Sequence, residues 1–138
     1  NEKKSILYND VKLNSWSVDI NESMKNFYEL YIQNKSRGIL CFAYGAPTKS
    51  TLLLKMSKLR KSDISFIVDD NSLKVGRFLP LTSIPIKSSK EIEFKKNAII
   101  ILFAWNFSDD IIKKLKMEYK VPATIIIPLP YPRVVKIC

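Results

Sequence analysis

Residues 38–47 read Gly-Ile-Leu-Cys-Phe-Ala-Tyr-Gly-Ala-Pro, and this stretch decides the fold class. The apolar run Ile39, Leu40, Cys41, Phe42 and Ala43 leaves no side for water. A half-exposed strand would alternate, and the run is too short for an ordinary helix. It therefore predicts a strand buried on both faces, as in a parallel sheet covered by helices. Gly45, Ala46 and Pro47 end the strand, and Leu52, Leu53, Met56 and Leu59 then recur at helical spacing.

Outward from this strand the same alternation continues. Upstream, Ile20, Met24, Phe27, Leu30 and Tyr31 mark one face of a helix over 19–34. Asp19 or Asn21 suits its start, and Gly38 follows its end after Lys35 and Arg37. Residues 1–18 carry no period and read as a leader or linker, with at most a short strand near 5–8. Downstream come a strand at 64–68, a loop at 72–87 punctuated by Gly76, Pro80 and Pro85, and a buried strand at 98–104. A helix over 109–119 follows, with Ser108 as its expected cap and Asp109 and Asp110 complementing its dipole. Residues 123–127 form a further strand before the proline-punctuated tail 128–132. Strands alternating with helices imply right-handed crossovers. The expectation is a small Rossmann-like three-layer α/β sandwich, one domain over 19–138, with a mostly parallel sheet of about four to five strands.

Composition narrows the function. The 138 residues hold 23 Lys+Arg against 13 Asp+Glu, two Cys and no His. Without His there is no Ser-His-Asp or Cys-His nucleophile within the chain. Two distant cysteines cannot build a zinc site alone, so no metal is expected. The apolar run at 98–105 falls far short of the roughly 20 residues a membrane helix needs. The polar start shows no secretory pattern, so a reducing cytoplasm is the expected setting. Position 1 is Asn rather than Met, which leads us to expect a piece of a larger protein. The net charge of +10 comes from 19 lysines scattered through every segment and four arginines. That pattern reads as a solvated basic surface or an attraction to small phosphate-bearing ligands, more than as a polynucleotide groove.

In open α/β sheets ligands bind beyond the carboxyl ends of the strands, where the strand order reverses. The first such end is Tyr44-Gly45-Ala46-Pro47-Thr48-Lys49-Ser50-Thr51. It reads either as a tight turn or as a phosphate cradle, with Gly45 and Ala46 allowing close approach and Lys49 supplying charge. It is neither a G-x-G-x-x-G fingerprint nor a Walker A loop. Asp69 lies 24 residues after Gly45. It could reach ribose hydroxyls or, with Asp70, tie down its own loop. Trp105 and Asn106 offer an aromatic face and an amide, or else fill the core and hold a turn. Arg77 could meet phosphate or simply face solvent. Tyr131 and Arg133 read as tail packing more than as ligand contacts. Lys114, on the third helix, is expected away from this crest.

Taken in order, these motifs resemble the C-terminal domain of sugar C-methyltransferases. The residues that carry the resemblance are Tyr44 to Leu53, then Val68-Asp69-Asp70-Asn71 with Lys74, Gly76-Arg77, Pro80 and Ile84-Pro85-Ile86. Ala104 to Ile111, Pro128-Leu129-Pro130 and Arg133-Val134-Val135 continue it. Pro47 and Ser50-Thr51 depart from the family's usual small residue and Gly-Asn. The resemblance implies a Rossmann-like domain that binds a nucleotide-linked sugar and is not catalytic alone. It also implies that S-adenosylmethionine and the catalytic groups belong to an upstream methyltransferase domain. On that basis Tyr44, Gly45, Ala46, Lys49, Ser50, Asp69, Arg77, Trp105 and Asn106 are the expected substrate-binding residues. The alternative is a non-catalytic interaction domain that assembles an enzyme complex on the same fold.

Overall fold

Helix α1, residues 20–34, buries Ile20, Met24, Phe27 and Tyr31 of the stripe the sequence marks and leaves Leu30 half-buried. The computed structural model describes residues 20–47, 50–94 and 96–137. The leader at 1–18, the short strand near 5–8, Asp19 and Lys49 lie outside the described residues. After α1 come β1 (Leu40–Tyr44), α2 (Ser50–Met56), β2 (Ile67–Val68), β3 (Ile86–Lys87), β4 (Ala98–Leu102), α3 (Ser108–Glu118), β5 (Ala123–Ile127) and β6 (Arg133–Ile137).

The strands form one six-stranded sheet in the order β3-β2-β1-β4-β5-β6. All neighbours are parallel except β5 and β6, which run antiparallel with Ile125 opposite Val135. The mixed α/β architecture and mostly parallel sheet follow the sequence expectation. The strand count is higher than expected, for two local reasons. β3 is two residues long and sits inside the proline-punctuated loop, too short to show any period. β6 lies beyond the tail prolines, and of its five residues only Ile137 is buried, so no apolar alternation announces it.

Alternate strand residues enter two separate apolar clusters. Cys41, Ala43, Ile99 and Ile101 pack with α1 and α2, whereas Phe42, Tyr44, Ile100 and Leu102 pack with Leu115 of α3 and with Tyr119 just beyond it. Helices therefore cover both faces, which explains why the strands carry no polar side. The Cys41 thiol is buried in the first cluster, and that burial, with Asp63 adding to it, pushes its pKa up to about 12. It stays protonated and unreactive at neutral pH.

Ser108 is not the cap of α3. Trp105–Phe107 wind one 3-10 turn that runs directly into the helix, and Ser108 already has helical angles of φ −55° and ψ −43°. Its hydroxyl instead accepts from the Arg133 guanidinium at 3.3 Å, which ties β6 to the helix start.

Candidate functional site

The strand order reverses between β1 and β4, the position at which open sheets place their ligands. The ends of these two strands are bound together there. The amides of Phe103 and Ala104 both donate to the Tyr44 carbonyl, at 3.1 and 3.2 Å. Gly45 has φ +91°, and a Cβ at that position would collide with the Cβ of Ala104. Glycine is thus required where one strand end passes the other.

Asp69 holds the next layer of the crest. Its carboxylate accepts from the Ala46 amide at 2.9 Å and from the Asn71 amide at 2.9 Å. Lys74 donates to the Ala46 carbonyl and lies 4.0 Å from Asp69. The N–H groups of Gly45 and Ser50 are also engaged, by the carbonyls of Val68 and Pro47. The loop after β1 is therefore tied down by its own protein at Gly45, Ala46 and Ser50.

Beside this loop opens a cleft of about 360 Å³, formed by the ends of β1 and β2, the turn after β4 and the first turns of α3. Lys114 lines it, contrary to its expected remote placement. Its ammonium is 3.0 Å from Asp70 and 5.9 Å from the centre of the Tyr44 ring. Asp70 also accepts from the Ser88 hydroxyl at 3.2 Å and from the Ser89 amide and hydroxyl at 2.8 and 2.9 Å. Partial burial works to raise the Asp70 carboxyl, but the Ser89 amide, Lys114 and the Ser89 hydroxyl outweigh it and hold its pKa down to about 2. Tyr44 and then Asp70 hold the Lys114 ammonium above the usual lysine range.

Tyr44 is 7% exposed, and its hydroxyl makes no hydrogen bond to any described residue. Lys114 lies near it without reaching hydrogen-bond geometry. Burial pushes the phenol's pKa up, although Lys114 acts in the other direction, so the group remains a neutral donor at physiological pH. A buried hydroxyl left without a partner costs on the order of 1–3 kcal/mol, so such groups call for an explanation.

Of the expected site residues, Tyr44, Gly45 and Asp69 meet in this cleft. Ala46 is buried beside it as the partner of Asp69. Ser50 opens α2, fully buried, and its hydroxyl has no partner among the described residues. Arg77 and Asn106 are exposed and line neither this cleft nor the one around Trp105. Trp105 is half-buried in that second cleft, of about 420 Å³, with Ile20, Leu129, Pro130 and Tyr131. Asp70, Phe107, Asp110 and Lys114 were not expected among the site residues. Only the Asp110 and Lys114 spacing on α3, one helical turn apart, hinted that they share a face.

The fold is a mixed α/β domain with a mostly parallel six-stranded sheet and a cleft at its crest. The chain belongs to the C-methyltransferase C-terminal domain family, whose model matches residues 1–130. It is similar to the C-methyltransferase NovU of Streptomyces niveus, with 37% identity over 92 residues. That match covers 67% of this chain and 22% of the relative, so the chain corresponds to a minor part of that protein's length.

Proposed function

We propose that this domain binds a nucleotide-linked sugar for an S-adenosylmethionine-dependent sugar C-methyltransferase and does not transfer the methyl group by itself. The observation that carries the reading is the open cleft at the strand-order reversal, bounded by Tyr44, Gly45, Asp69 and Lys114. A Rossmann-like three-layer sandwich is the corresponding fold assignment, supported by helices on both sheet faces. The crest fits the methyl donor poorly. Asp69, at the position where dinucleotide folds present an acid to ribose, already accepts two backbone amides. Gly45 is the lone glycine of the first loop. S-adenosylmethionine accordingly belongs to an upstream domain in this reading, and the cytoplasm is the setting. No helix among the described residues is long and apolar enough to cross a membrane.

The test is a titration of the chain with thymidine, guanosine and cytidine diphosphate sugars, followed by tryptophan fluorescence. Saturable quenching by one of them supports the reading. Silence across all three sinks it in favour of an interaction domain. Lys49 is the residue we assign to the diphosphate, since its place between β1 and α2 puts a cation in the first loop. Lys49→Ala should then weaken binding by about 10- to 150-fold, the equivalent of one charge-assisted hydrogen bond. The exposed Lys116→Ala on α3 should leave affinity unchanged. Equal weakening by both would mean diffuse attraction to a basic protein.

A further inference from the structure

The cleft around Trp105 lies where the chain enters the domain. Ile20, at the start of α1, forms one wall, and Leu129, Pro130, Tyr131 and Pro132, between β5 and β6, form another. The Ser23 hydroxyl donates to the Pro130 carbonyl at 3.5 Å and joins the two walls. Trp105 is half-buried in the cleft and Tyr131 is 76% exposed, so two rings offer surface that the described residues leave uncovered. Tryptophan and tyrosine in a recess are frequent anchors of a contact.

The lining describes its occupant. Glu22 is the one charged residue among the described residues of the cleft, so nothing there favours phosphate or another anion. Pro130 and Pro132 have no N–H, and the wall they build presents carbonyl acceptors in place of donors. An apolar ring that carries a donor and no charge fits both facts, and an indole is such a group. The sequence supplies one nearby. Trp16 stands four positions before Ile20, in a segment (residues 10–18) outside the described residues. Four residues at full extension span at most about 14 Å, so the Trp16 backbone cannot be farther than that from the wall at Ile20. Leu13 and Val18 add apolar side chains, and Lys12 supplies a cation of the sign that suits Glu22. A connection this short gives an effective concentration in the millimolar range, which a second copy or a separate protein does not match in dilute solution. We infer that the Trp105 cleft is the seat of the segment just before α1, with the Trp16 ring packed against Trp105 and Tyr131. The leader is then a strap across the carboxyl end of the sheet, and the polypeptide ahead of Trp16 departs from the crest side. The inference stands on this cleft and on chain connectivity, and is independent of the nucleotide-sugar reading.

The chain holds two tryptophans, so Trp105→Phe leaves Trp16 as the sole indole fluorophore. Its emission should lie to the blue of N-acetyltryptophanamide, and acrylamide should quench it severalfold more slowly. Adding Tyr131→Ala removes one wall of the seat. Because that side chain is largely exposed, the fold should tolerate its loss, and Trp16 should become severalfold easier to quench. Trp16 quenched as fast as the free amide would overturn the assignment. Shielding that Tyr131→Ala leaves unchanged would place the ring elsewhere and overturn it too. Shielding lost on dilution would give the cleft to a second copy instead. Should Trp105→Phe fail to fold, fluorotryptophan in the otherwise wild-type chain gives two fluorine NMR signals, assigned with Trp16→Phe. The Trp16 signal should then move towards that of the free amino acid in Tyr131→Ala, and an unmoved signal would refute the strap.

Discussion

Leu81 shows how a single residue can work against its own local structure. It sits after Pro80 with φ +63°, and the Thr82 amide closes the turn on the Leu79 carbonyl at 3.0 Å. A turn of this form has proline at its second position and favours glycine or asparagine at its third. Leucine there is strained by roughly 1–2 kcal/mol, and it is also 97% exposed, so no burial offsets the strain. Leu81→Gly should therefore stabilise the fold by about 0.5–1 kcal/mol, after subtracting the extra backbone entropy of glycine. Chemical denaturation of the two proteins measures this directly. An equal or lower midpoint for Leu81→Gly would show that the side chain contributes packing that its exposure hides. Tyr44 is a second residue of this kind, buried for its ring and without a hydroxyl partner among the described residues.

At the level of elements, the crest is held by a junction of three pieces: the end of β2, the 3-10 turn Ser89–Glu91 and α3. All three meet at Asp70, whose carboxyl is held at about 2 against an ordinary 3.8. Because the folded value lies below the unfolded one, the ionised form is the one the fold stabilises. The contribution is complete above about pH 4 and is lost as the pH falls to about 2. Asp70 is 43% exposed, so solvent screening reduces the contribution to roughly 1 kcal/mol. Asp70→Asn should be less stable than wild type by that amount at pH 7. The gap should close between pH 4 and 2 in denaturation curves taken across the range. A constant gap would place the effect in shape rather than charge. This junction was not legible in the sequence, because Ser88 and Ser89 reach Asp70 only through the pairing of Val68 with Lys87. That pairing belongs to β3, whose two residues carry no pattern. By contrast, β1, β4 and β5 were legible because burial on both faces leaves a continuous apolar run. Tyr44, Gly45 and Asp69 were legible as crest residues because they stand at the ends of such runs or beside them. Lys114 depended on the rotation of α3 above the sheet, which charge spacing alone does not set.

For the whole molecule, family membership and the proposed division of labour give a simple expectation. The chain incubated with S-adenosylmethionine and a nucleotide-linked ketosugar should transfer no methyl group, as measured by label incorporation. The matched region is 22% of the relative's length, and the proposal places the methyl donor on an upstream domain. Incorporation above the rate without protein would return the catalytic groups to this domain. One further property follows from the two rims of the sheet. β3 offers a neighbour only two residues, and β6 carries Arg133 and Lys136, each already committed to partners on α3, β5 or α1. Short or charged borders resist strand-by-strand joining. Among the described residues, copies of this domain crowded on a ribosome or at high concentration thus find no long, uncharged border along which to join strand to strand.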